Sequence, residues 1–218
     1  MLYLLFMRKL KILQLIVSII FFILLSCSLV TSVLYAAGVH VDTIISQVLN
    51  FVHATSFATL LLIILIAGLK AAKRWMAMVA LVSGIVYSVL ILVEKILWIV
   101  VYTLLGTPGS NMEHCMLFID IVSVVSIFTL IANVITVTFY AINHRNNKFV
   151  FICSIVYLVS SIVCFIGYLL IPYLIHDNDL MQPLLAVVGI VGAMCIPLFV
   201  ISTFSVYKRA EEQYTTIA

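Results

Sequence analysis

Residues 91–98 read "ILVEKILW". Glu94 and Lys95 stand side by side in a run that is otherwise almost wholly apolar. Such a pair either marks where an apolar helix leaves the membrane or belongs to a polar interior within it. The choice depends on what surrounds the run. Of the 218 residues, 66% are hydrophobic and 9% charged, and the mean hydropathy is +1.34. Soluble domains are closer to half apolar and a quarter charged, so a water-soluble fold could not hide this surplus and lipid is the expected solvent.

A membrane-spanning helix needs about 20 mostly apolar residues. Six stretches qualify, at 12–37, 45–69, 75–105, 115–141, 149–175 and 183–207. Short connections leave no room for a second domain. The expected fold is therefore all-α: one polytopic bundle of six transmembrane helices spanning residues 1–218, with a short tail at 208–218. The opening "MRKLKILQLIVSIIFFILLSC" also has the basic and apolar regions of a secretory or lipoprotein signal. Its apolar run outlasts the 7–15 residues usual for a signal peptide, which favours a retained first span.

The chain has eleven Lys and Arg residues. Arg8, Lys9 and Lys11 precede the first span, and Lys70, Lys73 and Arg74 separate the second from the third. Arg145 and Lys148 separate the fourth from the fifth, and Lys208 and Arg209 follow the sixth. All of these fall on one side of a six-span bundle; Lys95 is the exception. Positive charge is retained in the cytoplasm, so both termini are expected there. A cell membrane is the expected location, with an organelle membrane as the alternative. The basic residues form short clusters rather than one stripe, so no nucleic-acid partner is expected.

The third run is long, about 46 Å as a helix against a hydrocarbon core of about 30 Å. Both tryptophans of the chain, Trp75 and Trp98, lie in it. Trp favours the two water–lipid boundaries, and this pair is about 34 Å apart along a helix. Placing both at those boundaries sets Lys95 about 5 Å below the outer one, within reach of snorkelling. The preferred expectation is thus an edge position for Glu94 and Lys95. The rival sets the span further outward and buries both charges, which then read as functional. Asp120, at a similar depth in the fourth span, is the expected partner of Lys95, because sequence neighbours point about 100° apart on a helix.

Polar residues recur at helical spacing. The first span carries Gln14, Ser18, Ser28, Ser32 and Tyr35, and the second Ser46, Asn50, His53 and Ser56. The fourth carries Ser126, Thr129, Asn133, Thr136 and Tyr140. In lipid such faces turn toward other helices or a wet cavity. Asn133 and His53 are the leading candidates to line a solute path, with Asp120, Glu94 and Lys95 as charged candidates. Gly84 and Ser88, Ser160 and Cys164, and Gly189 and Ala193 are spaced for close helix approach. Pro197 is expected to bend the sixth span. "SGIVY" at 83–87 and "CSIVY" at 153–157 form a faint internal echo.

Each outer loop pairs histidine with carboxylate: His40 with Asp42, Glu113 with His114, and His176 with Asp177. These types suit a divalent metal. Loops that exclude Lys and Arg still need polar residues, however, so no metal site is expected. There is no phosphate-binding Gly-rich loop, HExxH, GxSxG or voltage-sensor Arg ladder, and the five cysteines show no CxxC spacing. An enzyme, a catalytic residue and a cofactor are not expected. The leading expectation is a small-solute transporter or the membrane subunit of a transport complex. The alternative is a non-catalytic accessory that regulates or protects another membrane protein, with a partner or a second copy of itself. A third reading is a divalent-ion sensor on the outer face.

Overall fold

Six apolar segments in a solvent without hydrogen-bonding partners have one common solution. Each closes its backbone hydrogen bonds within itself as a helix. The computed structural model describes residues 2–37, 43–69, 74–105, 112–174 and 178–215. Among them it has α1 (Leu2–Ala36), α2 (Thr43–Gly68), α3 (Arg74–Leu105), α4 (Met112–Asn143), α5 (Lys148–Leu174) and α6 (Asn178–Thr215), and no strand. Each expected span coincides with one of these helices, three of the spans ending one residue beyond their helix. Two helices run markedly further than expected: α1 begins ten residues earlier, and α6 continues through most of the tail.

Hydroxyl residues inside the apolar runs return their protons to the helix. Thr55 donates to the Phe51 carbonyl at 2.8 Å, Ser88 to Gly84 at 2.8 Å and Ser154 to Val150 at 2.7 Å. This hides a hydroxyl that has no water to bond.

The helices close a ring in chain order. Each packs against its sequence neighbours, α6 returns to α1, and α2 touches α6 across the ring. Of α2's apolar stretch 56% is buried, against 22–28% in the other five, which makes α2 the innermost helix. The outward faces carry large apolar side chains, such as Ile16 and Ile23 on α1, Val82 and Val89 on α3, and Phe128 on α4. An apolar belt on all sides is what lipid requires and water would penalise. The chain is an integral, multi-pass membrane protein.

The half of the ring nearest the termini is densely packed. Gln14 of α1 is fully buried against α6; its amide Nε2 donates to Thr203 Oγ1 at 2.8 Å, and its Oε1 accepts from Tyr207 Oη at 2.7 Å. Ser83 on α3 accepts from Thr136 on α4 at 3.0 Å. Gly84 leaves room for the buried Leu65 of α2, which a side chain there would displace. Asn147 ends the α4–α5 turn: its Oδ1 accepts from Val150 N–H at 3.4 Å as a helix cap, and its Nδ2 donates to Ser205 of α6 at 2.7 Å.

Asn147 therefore does two separable jobs. Asn147→Ala should lower unfolding free energy in detergent by about 1–2 kcal/mol, through loss of the cap and of the Ser205 contact. Asn147→Asp keeps the cap and should lose roughly half as much. Thermal unfolding of the three proteins checks the order.

Candidate functional site: a polar cavity above an aromatic floor

The half of the ring farther from the termini is not filled. A cavity of about 720 Å³ lies at its centre, and all six helices contribute to its wall. The lining comes from residues 25–32 of α1, 50–57 of α2, 87–98 of α3, 122–133 of α4, 157–169 of α5 and 188–196 of α6. In every helix this is the part toward the distal end, where α1 meets α2, α3 meets α4 and α5 meets α6. A volume of several hundred Å³ with convergent polar groups is typical of a small-molecule site.

The polar faces explain why the ring stays open there. Ser28 and Ser32 of α1, Asn50 and His53 of α2, and Ser126, Thr129 and Asn133 of α4 all line the cavity. Ser28 Oγ donates to Asn50 Oδ1 at 3.1 Å, tying α1 to α2 at the rim. Lower on the same stripes, Gln14, Thr136 and Tyr140 are buried in the packed half. One stripe thus serves packing at one end and lining at the other. A cavity of this size has room for water, which could complete the hydrogen bonds of these lining groups.

The floor is aromatic. Phe57 of α2, Tyr87 of α3 and Tyr157 of α5 are buried at the base of the cavity. The Phe57 ring meets Tyr87 edge-on at 6.3 Å and Tyr157 at 6.2 Å. Beneath them Phe199 of α6 stacks on Tyr157 at 5.0 Å and meets Tyr140 at 5.8 Å. Asn133 pins this layer: its Nδ2 donates to Tyr157 Oη at 3.3 Å, and the hydroxyl lies 3.4 Å from Asn133 Oδ1. His53 lies flat against Phe21 at 4.9 Å. Its Nε2 is buried and has no hydrogen-bond partner among the described residues. A buried nitrogen in that state costs about 1–3 kcal/mol unless water or a ligand reaches it.

Glu94 and Lys95 both line the cavity, with Lys95 Nζ 2.8 Å from Glu94 Oε1. Their side chains are only 12% and 27% exposed, respectively. The pair faces the interior of the ring, and Trp98 also lines the cavity while Trp75 faces outward. One expectation is corrected. Lys95 pairs with its sequence neighbour and not with Asp120, which is exposed on α4 and outside the lining. The Cα directions of neighbours do diverge, but a four-carbon lysine stem is long enough to fold back.

Tyr87 and Tyr157 were not singled out from the sequence. A signal was present: they are the final residues of the two echoing pentapeptides, and the structure brings them to the same floor. Among the described residues no three metal-ligating side chains come together. His40, Asp42, His176 and Asp177 lie outside the described residues, as do the side chains of Glu113 and His114. The chain matches no protein-family model, curated protein or solved structure to which it was compared.

The floor should divide reactive from protected positions. In a cysteine-free background, Ser126→Cys should react with a membrane-impermeant thiol reagent. Thr136→Cys, fully buried below the floor, should react at least tenfold more slowly. Mass spectrometry of the labelled protein gives both rates.

Proposed function

We propose that this protein is a membrane transport protein, or the membrane subunit of a transport complex, that takes a small solute into the central cavity. The observation that carries this reading is a cavity, enclosed by all six helices and stopped by aromatic rings halfway through the ring, whose largely apolar wall carries an ion pair and several polar groups. An ion pair and an unpartnered ring nitrogen inside a membrane bundle are costly, and a common use of such groups is to meet a solute. The distribution of Lys and Arg supports cytoplasmic termini. The cavity then faces outward, and the packed half closes the cytoplasmic side.

Asn133 and His53 are the proposed lining residues at the floor, and Glu94 with Lys95 is the proposed charged pair of the wall. Asp120 receives no part in the path. Inward passage requires the floor to part. Pro197 provides a place for it, because it cannot donate to the carbonyl of Ala193, a lining residue, so α6 lacks one of its own hydrogen bonds there. Phe199, two residues on, would move with the lower segment of α6 and release Tyr157.

The test is uptake into cells or proteoliposomes across a panel of amino acids, sugars, nucleosides and polyamines. The native protein should raise the uptake of at least one member at least fivefold over Ser126→Trp, which fills the cavity. Asp120→Asn should transport like the native protein. If no solute distinguishes native protein from Ser126→Trp, while both co-purify with one stoichiometric membrane protein, the accessory reading replaces transport.

A further inference from the structure

We propose that the solute is a small zwitterion, carrying an ammonium and a carboxylate close together and an apolar group beside them, as in an amino acid with an apolar side chain. This rests on the solute-binding reading above and adds the chemical class.

The argument begins with what the Glu94–Lys95 pair does not do. Ion pairs inside a membrane bundle ordinarily tie one helix to another. This pair is formed by adjacent residues of α3, so it links no two helices. Each charge on a membrane helix costs about 2.5–3.5 kcal/mol to place, and here that cost returns no cohesion. Both groups nevertheless face the cavity and remain partly accessible from it.

The second step is charge balance. Glu94 and Lys95 are the acidic and basic residues among the described lining residues, one of each sign. A solute of net charge would leave bulk water for a site whose wall has no surplus charge to neutralise it. An uncharged solute could hydrogen-bond to either group but would neutralise neither charge. A zwitterion matches the pair: the solute ammonium takes the Glu94 carboxylate, and the solute carboxylate takes the Lys95 ammonium. The four charges then alternate in sign, and each has opposite neighbours on two sides. No charge is left unpaired in the bound or the empty state.

The third step is the rest of the solute. Tyr87 lies seven residues before Glu94 on α3, two turns and about 10 Å down the same face. There the wall changes from charged to aromatic, with Phe57 and Tyr157 beside Tyr87. A head held by Glu94 and Lys95 therefore directs its substituent onto aromatic rings. An apolar substituent shorter than about 10 Å fits that interval. Trp98, one turn beyond Glu94, bounds the head-group end.

The experiment is thermal unfolding of the full chain in lipid nanodiscs. The probes are L-leucine, L-phenylalanine, N-acetyl-L-phenylalanine and L-phenylalaninamide, with D-glucose and uridine as uncharged solutes. Leucine or phenylalanine should raise the unfolding temperature in a saturable manner. The acetylated and amidated compounds, each lacking one charge, should need at least tenfold higher concentration. The double variant Glu94→Gln/Lys95→Met removes the pair without stranding a charge, so it should fold and lose the response. Ser126→Trp should lose it also. The zwitterion assignment is overturned if the single-charge derivatives bind as well as phenylalanine, if the double variant responds unchanged, or if neither amino acid stabilises the protein. Stabilisation by glucose or uridine that Ser126→Trp abolishes would overturn the class while leaving the solute-binding reading standing. An amino-acid response that survives Ser126→Trp would place binding outside the cavity and overturn the assignment.

Discussion

The constraint on which the structure depends is that a charge inside a membrane must not face lipid. Glu94 and Lys95 sit two-thirds of the way along α3, and each would cost about 2.5–3.5 kcal/mol against hydrocarbon. Turning them inward sets the rotation of α3, so Val89, Val93 and Ile96 face outward. With α3 so placed, the polar stripes of α2 and α4 on either side of it face the same centre. Purely apolar packing over that centre would strand the charged pair and leave the His53 Nε2 without a partner. The charged pair and the polar stripes thus converge on the cavity, and in the dense half below most stripe residues find partners on neighbouring helices, although the buried Ser18 hydroxyl has none among the described residues.

The two halves satisfy their polar groups differently. Near the termini Gln14, Thr203 and Tyr207 complete one another, and Ser83 completes Thr136. At the distal end Ser28 and Asn50 bond each other, but the Nε2 of His53 has no partner among the described residues. Between them stands a layer of rings held by Asn133. That layer joins α2, α3, α4, α5 and α6, yet its contacts are ring faces and edges worth about 0.5–1.5 kcal/mol each beyond burial. A barrier of this kind excludes water when closed and can part without breaking an ion pair.

Much of this was legible in the sequence, for identifiable reasons. The six helices follow from apolar length, which lipid leaves few ways to satisfy. The inward faces of α1 and α4 follow from spacing, because Gln14, Ser18, Asn133 and Thr136 stand out against apolar neighbours. The aromatic floor was not legible. Phe57 is buried at the floor while Phe128 faces outward, and in a chain this apolar nothing local separates a ring that meets lipid from one that meets another ring. The partner of Lys95 was not legible for a different reason: helical spacing gives the directions in which neighbouring side chains leave the backbone, not the reach of a lysine stem that folds back to Glu94. Position within a helix turn of about 3.6 residues decides between lipid and cavity, and residue type alone does not.

The inward rotation of α3 around Glu94 and Lys95 is tested most directly by spin labels on its two faces, leaving the pair intact. One label replaces Trp98, which lines the cavity; the other replaces Ile96, which is half-exposed on the outer face. Each is measured by its collision with a water-soluble nickel chelate and with lipid-soluble oxygen. A water-filled centre predicts that position 98 responds mainly to the chelate and position 96 mainly to oxygen. Oxygen-dominated relaxation at 98, or the reverse pattern, would mean that the charged face of α3 does not meet an aqueous interior.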